Sequence, residues 1–539
     1  MKKLVLYALL FLTTLGVFAQ DTLRTDEIDV IKTFKPTLVD VIKIASNPNP
    51  EIPEITVPKL SYTLPQVKQS VIPTLYTIKP LSMGTALLPK LKNNYFKLGY
   101  GNYNAPIFEA YISTVRNKKN QAGAFYKHYS VNPTNKDYQS FSNNELNLWA
   151  KRFIEKGVIN THINYNRNVI HYYGFDPESL KIPKKDIRRQ YGAFDLGVGY
   201  SNVTKDTSKL RYQVQSNYYN FSDNNNVSEN DFKLQADFSK RIHGNPLQVS
   251  VGVNTNNTER SSVKYNRVFV DFNPTYTLNF DNRAHIKIGF NTTLFNDSNG
   301  SKFFPYFNGE AAYQIIPKAV TIYGGLTGNY QRNTYRSLVH ENPFISQWEL
   351  RNTSNRVEAF IGLRGEISPQ TSFMLQYSRA SIQNQLFYGF DSTTFGQATI
   401  YDSTNSGLST IKAELNHEFA EKFHFNFKLN YFAYDLSIDK PFGRPTFTTR
   451  TSLMYNMSNK FIFRGDIYTM NSRYGVKLPS NAQQKFDGLV DVNFGIDYRY
   501  SKTIGLFLNF NNITNNTYQR WYNYEVLGIN ILGGITVTF

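Results

Sequence analysis

The side chains that most often carry chemistry are thinly spread in this chain. Its eight histidines (His128, His162, His171, His243, His285, His340, His417 and His424) include no pair at metal-ligand spacing. There is no cysteine, which excludes disulfides, thiolate metal sites, a cysteine nucleophile and a lipid-modified cysteine behind a leader. A Gly-x-Ser-x-Gly elbow, an HExxH helix and a phosphate-gripping glycine loop are also missing. Asn296-Asp297-Ser298-Asn299-Gly300 begins like a calcium loop but lacks the downstream Glu, and reads as a turn. The expectation is no enzyme, no cofactor and no metal. The spacing that does stand out belongs to the last eleven residues, where Ile529, Ile531, Gly533, Ile535, Val537 and Phe539 alternate with mostly small or polar residues. Period-2 alternation marks a strand with two different surroundings.

The same pattern runs from Tyr95 to the end. Phe423, Phe425, Phe427, Leu429 and Tyr431 alternate with His424, Asn426, Lys428 and Asn430. Val490, Val492, Phe494, Ile496, Tyr498 and Tyr500 alternate with Asp491, Asn493, Gly495, Asp497 and Arg499, and Ala284, Ile286, Ile288, Phe290 and Leu294 behave likewise. One face is aliphatic and aromatic, and the other carries charges of both signs. Segments of about ten residues cross a membrane's apolar band, about 25 Å tall, when tilted. About 22 such segments follow one another, the sixteenth starting near residue 409. Short turns such as Glu155-Lys156-Gly157, His243-Gly244-Asn245 and Ser458-Asn459 alternate with longer connections around 131–142, 171–189, 333–353, 389–408, 471–485 and 512–528. This predicts an all-β fold, a transmembrane antiparallel β-barrel of about 22 strands over residues 94–539, with both its ends on the short-turn side. Residues in parity with Phe539, and the 423/425/427 set, should face lipid.

The front of the chain is different. Lys2 and Lys3 precede an apolar run from Leu4 to Phe18, so residues 1–20 read as a signal peptide. No other run is long enough for a membrane helix, which leaves a closed barrel as the way to sit in lipid. Residues 21–93 hold nine of the 22 prolines and almost no glycine, and read as an extended periplasmic or lumen segment. The formal charge of +18 suits anionic lipid heads and lipopolysaccharide; no Lys/Arg run or motif points to nucleic acid. With 38 Tyr and 41 Phe against 3 Trp and 6 Met, the composition also favours strands.

Gly534, Val537 and the terminal Phe539 resemble the closing-strand signal of bacterial outer-membrane barrels, which the barrel-assembly machinery recognises; Leu532 stands where that pattern has a polar residue. Asn511-Asn512-Ile513-Thr514-Asn515, with Tyr518, Trp521, Tyr524, Gly528 and Gly534-Ile535, further resembles the last loop and strands of TonB-dependent receptors, especially their Bacteroidota members. That resemblance implies an outer-membrane protein of a Gram-negative cell, taking up or passing a solute. The family fills its barrel with a globular plug larger than residues 21–93 can form, so here the plug is reduced or missing. Asp26-Glu27-Ile28-Asp29-Val30-Ile31 looks like the box through which such receptors contact TonB. The alternative is a non-transporting barrel subunit of an assembly or secretion complex, with residues 21–93 as a strap to a periplasmic or lipoprotein subunit. Either way a barrel this wide must be filled: by the Pro-rich segment, by the long connections or by a partner.

Overall fold

The computed structural model describes residues 92–539 apart from 115, 116, 135, 137, 205, 207, 262, 282 and 421. Residues 1–20, read above as a signal peptide, nearly all of the Pro-rich stretch and Asp26–Ile31 lie outside the described residues. Among those described, no helix is long and apolar enough to cross a membrane. Instead 22 strands form one closed antiparallel barrel. Each barrel strand pairs with the next in the chain, starting with Tyr95–Gly101 against Ala105–Ser113. The last, Asn530–Thr538, returns to the first with Tyr95 opposite Thr538 and Gly99 opposite Gly534. Closure leaves no edge strand, so the backbone of every strand is satisfied on both sides.

The two faces divide as the alternation predicts. Ile286, Ile288, Phe290 and Leu294 point outward, 38–46% exposed, although all four are large and apolar. On the last strand Ile531 and Ile535 do the same, at 39% and 50%. The inner face is a wall of amides and ion pairs. Lys428 meets Glu414 at 3.2 Å, Arg450 meets Asp466 at 2.9 Å, and Lys127 meets Glu109 at 3.3 Å. Exposed pairs like these add little stability; they neutralise the wall.

Most turns on the side that holds both ends of the barrel are tight. Ile242 faces Asn245 across a two-residue loop in which His243 and Gly244 both have positive φ, the geometry that matches strand twist. The opposite side carries the long connections, with one departure from expectation. A long connection at 389–408 is not there. Strands Thr371–Asp391 and Gln397–Phe419, 21 and 23 residues long, run on to a turn at 392–396. The polar run Asp402–Ser406 reads as a loop in sequence, but tertiary partners absorb it. Asp402 is fully buried and accepts from the Ser437 amide at 3.0 Å, while the Ser406 hydroxyl donates to the Ile382 carbonyl at 3.0 Å.

The C-terminal signal residues lie at the seam. Phe539 stacks on Phe96 with ring centroids 5.8 Å apart, and its carbonyl accepts from the amides of Asn93 and Asn94. Leu532, the departure from the signal pattern, points inward and packs with Ile107 and Phe507 in a small buried cluster. An apolar residue there completes a patch that a polar one would leave unpaired.

Candidate functional site

On the long-connection side the lumen is occupied by the chain itself. The connection 332–352 contains a short helix, Tyr335–Glu341, in an otherwise β environment. Thr334 caps it: the Ser337 amide donates to the Thr334 hydroxyl at 3.1 Å, and the Thr334 amide donates to the Ser337 hydroxyl at 2.9 Å. Tyr335, Leu338 and Val339 sit at i, i+3 and i+4 and bury one stripe. That stripe packs on inward-facing barrel residues, including Tyr191, Ala193 and Phe221.

Polar contacts hold both ends of the helix to the wall. Glu229, fully buried on strand Val227–Ile242, accepts four hydrogen bonds. They come from the amides of Tyr335 (2.8 Å) and Arg336 (3.2 Å) and the hydroxyls of Thr258 (2.8 Å) and Tyr219 (2.9 Å). A carboxylate at the first amides of a helix is favoured by both hydrogen bonding and the dipole. The Arg336 guanidinium grips Asp195 with both nitrogens. Asp195 is the middle residue of strand Arg188–Asn202, roughly 20 Å along it from the long-connection end, so the helix hangs inside the barrel. At the far end Arg444 pairs with Glu341 and also donates to the Leu386 carbonyl at 3.2 Å. Arg267 donates to the Asn333 carbonyl at 2.7 Å where the connection enters.

Three further connections close over this one. Tyr524 of 512–529 stacks on Phe344 with centroids 3.9 Å apart, and Tyr173 of 172–187 meets both rings edge-on, Tyr524 at 4.9 Å and Phe344 at 5.6 Å. Phe395, in the turn of the long hairpin, lies 5.2 Å from Phe175, and its carbonyl accepts from the Tyr524 hydroxyl. Burial pushes the Tyr524 hydroxyl well above its ordinary pKa, so it stays a donor. Tyr172, Tyr335, Tyr388 and Tyr524 are each under 2% or close to it in exposure, the packing of a core rather than of loops in water. Arg473 locks the last connection: it donates to the carbonyls of Gln519 and Arg520 and lies 4.5 Å from the centre of the Phe486 ring. Burial lowers its pKa to about 10, which still leaves it charged at neutral pH.

Above this cap lies an outward cleft of about 920 Å³, lined by Tyr138, Gln139, Phe175, Lys181, Gln519 and Asn523 among others. That is the size and mixture of rings and polar groups of a small-molecule site. Below the cap, a cavity of about 590 Å³ is walled by Asn143, Glu145, Asn166, Asn168, Arg336 and His340. Among the described residues no three of His, Asp and Glu are grouped to hold a metal ion. The connections 171–189 and 512–528 do contribute to the cleft, but Tyr172, Trp521 and Tyr524 face into the cap. The helix at 335–341 is the element missed in sequence. Its one legible sign is Thr334 three residues before Ser337, with apolar residues at helical spacing between strand-like stretches.

If the four contacts of Glu229 anchor the helix, Glu229→Ala should cost about 3 kcal/mol or more, because it strands buried donors. Urea-dependent loss of Trp348 fluorescence, which reports on this core, would show it as an earlier transition; a variant that unfolds with the wild type refutes the anchor.

A closed barrel of 22 strands, apolar outside, polar inside and filled at one mouth by its own connections, defines the class of large outer-membrane barrels. No family model and no curated protein matches the chain. Solved structures do. The FrpB iron transporter from Neisseria meningitidis aligns with a TM-score of 0.65 at 10% identity, over 84% of this chain and 82% of that one. The pyoverdine outer membrane receptor FpvA from Pseudomonas aeruginosa PAO1 aligns at 0.65 and 12%, over 83% and 78%. The copper transporter OprC aligns at 0.63 and 11%, over 83% and 82%. The likeness is one of architecture.

Proposed function

We propose that this chain is an outer-membrane barrel for solute uptake, gated by the connection 332–352. The observation that carries the reading is the inward helix, held in the lumen by ionic and hydrogen-bonded contacts beneath an outward cleft. A solute resting in the cleft competes for the connections that cover the helix, and contacts such as Arg336–Asp195 can be exchanged for water without breaking a covalent bond. The solved structures of the same architecture are, by name, iron and copper transporters and a pyoverdine receptor, which supports uptake here. In this reading Asp26–Ile31 is the point at which TonB pulls, and residues 21–93 are the reduced plug. Gly534, Val537 and Phe539 serve the assembly machinery.

A second reading is favoured by the completeness of the cap. A mouth closed by buried tyrosines also suits a barrel that passes nothing and acts as a subunit of an envelope complex.

Replacing residues 335–349 by a short Gly/Ser linker separates the two. Wild-type protein in planar bilayers should be nearly silent, and the excised variant should conduct steadily. In cells the variant should admit a large antibiotic that the wild type excludes. An excised barrel that stays silent defeats the gate. If deletion of residues 21–90 leaves conductance unchanged but strips co-purifying proteins, the subunit reading stands instead.

A further inference from the structure

Just above the apolar band, the outer face of the barrel carries two arginines with no acid between them among the described residues. Arg167 lies on strand Gly157–His171, two residues beyond the lipid-facing Tyr165 and four beyond Ile163, both about 40% exposed. Side chains two apart share a face, so Arg167 stands outside the barrel at the upper margin of the band. Arg188 begins the neighbouring strand on the same face, six residues above the outward Phe194. Both guanidiniums converge on one neutral atom. Arg167 donates to Gln190 Oε1 at 2.8 Å, and Arg188 donates to the same oxygen at 3.0 Å.

Two cations sharing one amide oxygen repel one another, and that oxygen carries no charge to offset them. Neither forms an ion pair with a carboxylate of the described residues, whereas on the lumen wall Lys428, Arg450, Arg464 and Arg364 all do. Asp186 apart, the other groups beside the pair among the described residues add positive charge or none. His171 is directly across from Arg188, Lys184 and Lys185 are exposed on the short helix Lys184–Ile187, and Asn144 lies across from Arg167. Asp186, the acid nearest in sequence, is exposed on that same helix and pairs with neither arginine.

We infer that Arg167 and Arg188 form a binding site for the phosphate of an outer-leaflet glycolipid, with its acyl chains on the apolar face below. A guanidinium offers planar paired donors that match phosphate oxygens, and two of them around a dianion remove the repulsion between them. The height selects the source. The site sits on the long-connection side, which faces the outer leaflet, at the level where lipid headgroups meet the band. The inference rests on the outer-membrane placement proposed above, and membrane fractionation tests that placement separately.

The test uses full-length protein in mild detergent, with native mass spectrometry after addition of bisphosphorylated lipid A. The wild type should retain lipid A as an adduct, and Arg167→Gln/Arg188→Gln should retain at least tenfold less while still running as a folded, heat-modifiable band. Should the double variant not fold, Arg188→Gln alone should lower retention at least threefold. Phosphatidylethanolamine should bind both proteins equally. Lipid A retained equally by wild type and variants overturns the site. Displacement of lipid A by equimolar inorganic phosphate would make the ligand a free anion and overturn the lipid assignment.

Discussion

Gly534→Val is expected to prevent the barrel from closing. Gly534 is directly opposite Gly99 of the first strand and, on its other side, opposite Phe507. The Phe507 ring lies flat against this glycine-paved patch of wall, with Lys97 4.3 Å from its centre on the lumen side. A Cβ at Gly534 would come within 2.1 Å of the Leu98 carbonyl oxygen, 2.5 Å of Gly99 Cα and 2.7 Å of the Phe507 ring. Two of those three obstacles are backbone, so no rotamer change relieves them. Overpacking a filled site costs about 1–3 kcal/mol and sometimes more. Here the cost falls on the one pairing that joins the two ends of the barrel, and failure leaves two open strand edges in lipid. The readout is the heat-modifiable band in mild detergent gels, which should be absent or much reduced. Gly533→Ala is the control. It faces outward, its Cβ would meet nothing closer than 3.3 Å, and it should assemble normally. Normal assembly of Gly534→Val would show that the seam is looser than this packing implies.

Phe427→Arg should cost about 2–4 kcal/mol, the penalty of a cation on the lipid face near the middle of the bilayer. Phe427 is paired with Leu415 on one side and Thr451 on the other, all on the outward parity. Its neighbour Asn426 is in the lumen, where its amide donates to Glu414 at 3.2 Å and also to Asn416. Asn426→Arg therefore places a cation beside an existing carboxylate in a watery wall and should cost little. Guanidinium unfolding in detergent, followed by the same gel band, should separate the two variants clearly. Equal midpoints would mean that the faces are assigned the wrong way round.

What was legible in the sequence is what local alternation encodes. A strand buried on neither side in water, but facing lipid on one and a wet lumen on the other, must alternate residue by residue, and Phe423–Tyr431 and Val490–Tyr500 do so without a break. Twenty-two barrel strands, their faces, and the side on which both ends lie follow from that period and from the connection lengths. The exception, at 397–406, shows the limit: Asp402 and Ser406 look like loop until Ser437, from the connection after Asp435, and Ile382, from the neighbouring strand, satisfy them. The filling of the mouth was decided wholly by tertiary structure. Glu229 and the helix it anchors are 106 residues apart in the chain, and Asp195 and Arg336 are 141 apart. Nothing near Arg336 says whether 332–352 stands out in water or turns inward, because its stability comes from a buried carboxylate and an aromatic cluster assembled from distant strands. The same holds for Leu532, which departs from the closing-strand pattern and is explained by its packing with Ile107 and Phe507 from other strands. Period and polarity are local properties of a chain; a partner for a buried charge is a property of the closed barrel.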